Sequence, residues 1–183
     1  MATQSKKRAV IVIGLLALIF LGPFFFALYV YKARPAWLHG SVNHGELIMS
    51  PADFTKIAPS DAWTGQWILL ELMPLPCNQT CEANLFKVQQ VYKTFLDADQ
   101  KRMVLVVGSF SGQLSPEISK KYPLYKHVHL DQTIFNQSLQ GLPQTGLYIV
   151  DPHNNVIMVF SNDAAPRDIK KDVTKLLKVS QIG

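Results

Sequence analysis

The sequence of 183 residues has no carboxylate before Glu46, only two cysteines, no internal repeat and no low-complexity stretch. The missing acids account for its charge. Residues 1–36 carry five Lys/Arg (Lys6, Lys7, Arg8, Lys32 and Arg34), whereas from Trp37 onward 13 Lys/Arg meet 13 Asp/Glu. The net charge of +5 therefore belongs wholly to the N-terminal segment. A remainder without basic surplus cannot neutralise phosphates, which excludes a basic nucleic-acid-binding domain. At 48% hydrophobic and 17% charged residues, the chain is neither disordered nor a multi-span membrane protein. Its length allows one ordinary domain and an appendage.

The appendage is Ala9 to Tyr31, 23 residues without a charge, enough to cross a hydrocarbon core of roughly 30 Å. A secretory signal peptide is the rival reading, but its apolar core spans roughly 7–15 residues and ends at a small-x-small site. This run is longer and leaves through Tyr29, Tyr31, Lys32 and Arg34, an interfacial aromatic and basic edge. A membrane helix absorbs the kink expected at Pro23. Three basic residues precede the span and two follow it, a slight positive-inside bias. Together with the short tail, this favours N-in and a soluble part outside the cytoplasm. A bacterial inner-membrane protein with a periplasmic domain is the simplest expectation. The expected divisions are a cytoplasmic tail at 1–8, a transmembrane helix at 9–31, a juxtamembrane segment at 32–62 and a soluble domain at 63–183.

In the soluble part, Glu46 to Met49 reads as a short strand. Trp67 to Leu72 is a nearly continuous apolar run, as expected of a strand buried on both faces. From Asn78 to about Asp97 apolar residues recur at three- and four-residue spacing, the pattern of a helix. Met103 to Val107 forms a second buried strand. Ser115 and Pro116 start a short helix to Tyr122, and His127 to Leu130 alternates as a strand does. Gly146 to Asp151 and Val156 to Phe160 flank a Pro152-His153-Asn154-Asn155 turn and make a hairpin. A last helix covers about Ala165 to Val179. Alternation followed by a hairpin implies an α/β fold, a mixed sheet with helices on both faces.

The two cysteines fall four apart, in Pro76-Cys77-Asn78-Gln79-Thr80-Cys81, where a buried strand gives way to a helix. At a helix N-terminus the backbone N–H groups and the macrodipole favour a thiolate. With Asn78 at the helix start, Cys81 lies in the first turn and Cys77 just precedes it. Such a pair can close a disulfide, exchange it with a partner or hold a soft ion such as Cu(I). A purely structural disulfide is the alternative, though so short a loop gives little chain-entropy stabilisation.

Some sixty residues further on, "GLPQTGLYIVDPHNNVIMVF" resembles the cis-proline loop and hairpin of membrane-anchored, periplasmic proteins of the thioredoxin superfamily. The resemblance covers roughly residues 63–180 and implies a thioredoxin-like fold after the N-terminal helix. It implies that Pro143 is a cis-proline packed against the cysteine pair. The C-x-x-x-C spacing is similar to that of the Sco family of cytochrome oxidase assembly proteins, which share the anchor and an Asp-Pro turn. "VNHGELI" also looks like the short Sco-like membrane proteins that accompany bacterial oxidases. The implied function is assembly of a respiratory cytochrome c oxidase, by thiol–disulfide exchange or copper handling at Cys77 and Cys81. The implied partner is an oxidase subunit or another periplasmic thiol protein. The chain departs from the Sco pattern in having Asn78 and Glu82, each directly after a cysteine, where that family has proline. The family's copper-binding histidine falls at or near Pro143, and no histidine lies between His129 and His153.

A third copper ligand must then come from elsewhere. His127 and His129 share a strand face, onto which Asp131 alternates, and His129 is the candidate. His44 lies in a loop able to fold over the site, His153 reads as solvated in its turn, and His39 carries no signal. Asn78-Gln79-Thr80 and Asn136-Gln137-Ser138 match the glycosylation sequon but have no role in an envelope protein. The lysines of the last helix read as a solvated face. Two other functions remain open: a general thiol–disulfide oxidoreductase of the cytochrome c maturation type, and a non-catalytic scaffold with a permanent disulfide.

Overall fold

A computed structural model describes residues 2–33, 43–58 and 62–180. The chain divides into two units, Met1–Val42 and Asn43–Gly183. The first holds α1 (Ala2–Ala33), which runs through Pro23. Within it, Ile11–Lys32 is long and apolar enough to cross a membrane. His39 lies outside the described residues.

The second unit is a six-stranded mixed sheet in the order β1-β6-β5-β2-β3-β4. The strands are β1 (Glu46–Asp53), β2 (Trp67–Leu72), β3 (Met103–Ser109), β4 (Tyr125–His129), β5 (Gly146–Val150) and β6 (Asn155–Phe160). β2, β3 and β4 run parallel. β5 is antiparallel to β2, and β6 is antiparallel to both β5 and β1. All six residues of β2 are buried, because alternate side chains enter opposite layers. Trp67 and Leu69 face α3 (Gln79–Lys93), α5 (Pro116–Lys121) and α7 (Pro166–Val179). Ile68, Leu70 and Leu72 face the layer of α2 (Phe54–Ile57) and α6 (Gln132–Ser138).

The hairpin turns where expected. Asp151 Oδ1 accepts from the backbone N–H of His153 and Asn155 at 2.9 and 2.8 Å, and Asn154 has a φ of 66°. This is the local carboxylate-to-backbone bonding that favours Asp in turns.

The sheet takes in more of the chain than the sequence implied. β1 and α2 lie within the segment expected to be juxtamembrane, and the unit begins at Asn43 rather than at residue 63. Pro51 and the register shift between Leu47 and Ala52 disguise β1 as irregular chain, and Pro is tolerated there because the strand is at an edge. The helix expected to reach Asp97 stops at Lys93, and a separate turn, α4 (Asp97–Gln100), follows. α6 was not expected. β4 ends at His129, and Asp131 caps α6 by accepting from Ile134 N–H at 2.9 Å, so it does not join the histidine face.

Candidate functional site

The site forms where β2 ends and α3 begins. Asn78 is the N-cap of α3, its side chain accepting from the Cys81 backbone N–H at 2.9 Å. This places Cys81 in the first turn and Cys77 just before the cap. The two sulfurs are joined in a disulfide, with Cα atoms 5.4 Å apart. Asn78 thus has a structural reason to stand where Sco proteins have proline: its amide oxygen satisfies a helix donor that would otherwise be unpaired. Cys77 is half-buried and Cys81 is buried. In the dithiol state the α3 terminus favours the thiolate at this end.

The alternation of β2 continues past its last residue. Met73 donates its backbone N–H to Gly108 O at 3.2 Å, so Leu69, Glu71 and Met73 project in turn towards α3. Met73 Sδ lies 3.2 Å from Cys81 Sγ. Glu71 is 2% exposed, and its Oε2 has no hydrogen-bond partner. Burial pushes the Glu71 carboxyl up to about 7, against a smaller opposing pull from Lys87. One cavity of about 190 Å³ is lined by Glu71, Met73, Asn78, Cys81, Thr145 and Asn162, among others. Glu82, the other departure from the Sco motif, forms an ion pair with Lys121 that ties α5 to α3.

Pro143 does not carry the cis bond expected of it. The cis peptide bond lies at Leu75–Pro76, directly before Cys77, and the Leu142–Pro143 bond is not cis. Two residues separate Pro143 from β5, and Gln144 draws that loop towards α6, bonding Gln132 at 3.2 Å and Asn136 at 2.9 Å. The Pro143 carbonyl accepts from Tyr148 Oη at 2.5 Å. Thr145, immediately before β5, is the residue of this loop that lines the cavity beside Cys81. Gly146 follows with a φ of 128° and a close approach to Phe160 O that a Cβ would obstruct.

His129 is likewise not brought to the cysteines. Among the described residues no three His, Cys, Asp or Glu side chains gather as a metal-binding group. The reason is topological: β4 is separated from β2 by β3, about 10 Å at the usual strand spacing. His127 and His129 share a different cavity with Gln113, Leu114 and Ser119, and His127 Nε2 lies 2.9 Å from Ser109 Oγ. Burial, with a smaller effect of His129, holds His127 below the ordinary histidine value.

His44 lies against α7 rather than among the cysteines. Its backbone N–H and that of Gly45 donate to Asp172 Oδ2 at 2.5 and 3.0 Å. Its ring stands 3.3 Å from Asp172 Oδ1 and 3.4 Å from Asp168 Oδ1. His153 is exposed in its turn.

The residues that sequence reasoning missed are Glu71, Met73, Thr145 and Asp172. For Glu71 the signal was available, as a lone acid within the apolar Trp67–Leu72 run. For Met73 it was the parity of its position with Leu69 and Glu71.

Other proteins share this fold. Apo Sco1 from Thermus thermophilus aligns with a TM-score of 0.56 at 15% identity, covering 75% of this chain and 99% of its own. A putative electron transfer protein from Aquifex aeolicus gives 0.52 at 10% identity, over 73% and 95%. Arabidopsis thaliana ScoI, solved with copper bound, gives 0.51 at 13% identity, over 64% and 88%. At these identities the likeness establishes the thioredoxin-like fold. No curated protein matches the chain. Residues 67–180, more than half of the chain, match the family described as transmembrane-like, thioredoxin-like, C-terminal domain. The protein therefore belongs to that thioredoxin-like family, with an N-terminal helix long and apolar enough to serve as a single membrane anchor.

Proposed function

We propose that the protein assists assembly of a respiratory cytochrome c oxidase from the periplasmic face of a bacterial inner membrane. It exchanges thiols and disulfides, and handles copper, at Cys77 and Cys81. The observation that carries this reading is the Cys77–Cys81 disulfide across the capped start of α3, beside a cavity holding a buried acid.

The unequal burial of the two sulfurs supports a division of labour. In the dithiol form the Cys77 thiolate attacks one sulfur of a partner disulfide, and the other partner sulfur leaves as a thiolate. Cys81 passes its thiol proton to the Glu71 carboxylate, which is poised near neutral pH to take it. The Cys81 thiolate then attacks Cys77 Sγ and releases the second partner sulfur, while the proton returns from Glu71 to a departing thiolate. The protein ends as the disulfide and the partner as a dithiol, its second thiolate taking from solvent the proton that Cys77 released on ionising.

Copper fits the same pair by donor chemistry. Cu(I) is soft and takes thiolates, and both cysteines are available once a dithiol reductant has opened their bond. The partner that needs both activities is an oxidase subunit whose copper site contains cysteines, since those thiols must be reduced before they bind metal.

The test is a trapping experiment. A full-length Cys81→Ser variant, expressed in the native host, is expected to accumulate a mixed disulfide between Cys77 and the copper-binding subunit of the oxidase. A mixed disulfide with apocytochrome c instead assigns the protein to general thiol–disulfide exchange. Absence of any mixed disulfide at Cys77 contradicts both.

A further inference from the structure

We infer that Met73 supplies the third ligand of a Cu(I) site with Cys77 and Cys81, in the place a histidine would otherwise fill. This rests on the copper-handling part of the proposed function.

Three sulfur atoms are contiguous at the β2–α3 junction. Cys77 and Cys81 are bonded, and Met73 Sδ touches Cys81 Sγ at 3.2 Å. The strand ladder holds the Met73 backbone through its bond to Gly108, and its thioether already stands against Cys81 without a metal. Met73 is 4% exposed and Cys81 5%, so two of the three sulfurs lie away from bulk solvent. Among the described residues no histidine, aspartate or glutamate joins the cysteines as a metal group. The other polar groups lining the cavity are the oxygens and amides of Glu71, Asn78, Thr80, Asn84, Thr145 and Asn162, hard donors that Cu(I) disfavours. Thioether and thiolate sulfur are the soft donors that select it.

The chemistry balances simply. Reduction of the Cys77–Cys81 bond by a dithiol reductant takes up two electrons and two protons and oxidises the reductant to its disulfide. Binding of Cu(I) then releases the two thiol protons. Met73 contributes a lone pair and no charge, so the bound ion and two thiolates carry one net negative charge. The buried methionine has a bland alternative as a flexible filler of the core. A substitution that preserves volume but removes sulfur separates the two.

The experiment uses the full-length reduced protein in detergent, labelled with selenomethionine and loaded anaerobically with one equivalent of Cu(I). X-ray absorption at the selenium and copper edges is expected to show a copper–selenium contact, which Met73→Leu removes. Competition against a Cu(I)-specific chelator is expected to show Met73→Leu binding ten- to a hundredfold more weakly than wild type. Leu and Met are close in volume, so the fold tolerates the exchange, and an unchanged thermal transition in the metal-free disulfide form checks this. Bound copper without a selenium contact, or equal affinity in wild type and Met73→Leu, overturns the role of Met73 and leaves copper handling standing. Failure of the reduced wild type to bind Cu(I) at all overturns both.

Discussion

Two buried carboxylates sit in the layer between the sheet and its α3 and α7 helices, and the fold treats them in opposite ways. Asp172 of α7 is 1% exposed and is surrounded by donors: the backbone N–H groups of His44 and Gly45, the His44 ring and Lys175. Burial alone would raise its carboxyl, but these hydrogen bonds outweigh it and hold Asp172 below the usual aspartate value. Glu71 is as deeply buried, yet one of its oxygens has no partner, and burial raises it to about 7. A satisfied acid fixes structure: Asp172 pins the first residues of the domain to its last helix. An unsatisfied acid costs stability, and in the proposed function Glu71 takes the Cys81 proton in return.

The sharpest way to break this contrast is to remove Asp172. Asp172→Ala leaves two backbone donors without an acceptor and should destabilise the domain by about 3 kcal/mol. Its folded carboxyl is depressed, so the wild-type advantage is present above pH 3.8 and is lost as pH falls below that value. Denaturant titration at pH 7 and at progressively lower pH reads both effects.

Glu71→Gln should act in the opposite direction. Because the folded carboxyl is raised from 4.5 to about 7, wild-type stability falls as pH climbs between those values and is level above them. Glutamine keeps the polar burial but not the charge. The variant should therefore gain on the order of 3 kcal/mol at pH 8 and nothing below pH 4. The same variant should slow closure of the Cys77–Cys81 disulfide from a mixed disulfide, whereas Asp172→Ala should leave that step unchanged. Equal pH profiles for the two variants would erase the contrast.

The smallest effect belongs to the helix cap. Asn78→Ala removes the acceptor for the Cys81 N–H and should cost about 1 kcal/mol. In the reduced protein it should also raise the pH at which the cysteines react with an alkylating thiol probe.

The strands around the site were legible because each is a compact apolar run: Trp67–Leu72, Met103–Val107 and the hairpin all lie where the sequence places them. The start of α3 was legible from Asn78 and the cysteine spacing. β1 was readable only in its first residues, since its bulge and proline break the alternation on which strand reading depends. α6 has few apolar residues to reveal it. The resemblance gave Pro143 a cis bond that the structure has at Pro76 instead, and the loop after it bonds through Gln144 to Gln132 and Asn136 of α6, a helix the sequence did not reveal. The Asp172 clasp joins positions 127 and 128 residues apart, beyond the reach of any local pattern. His129 stands apart from the cysteines, and this was not legible, because alternation predicts a face of the sheet but not which strand stands next to which.

The central claim is that Cys77 and Cys81 are a working pair rather than a permanent staple. The most direct test equilibrates the full-length protein in detergent with glutathione buffers of stepped redox poise and counts free thiols by mass after alkylation. We predict reversible interconversion of the disulfide and dithiol forms within the range that glutathione spans, with a reduction potential above about −300 mV. A pair that remains fully oxidised at every glutathione ratio would contradict the account and make the bond a structural one.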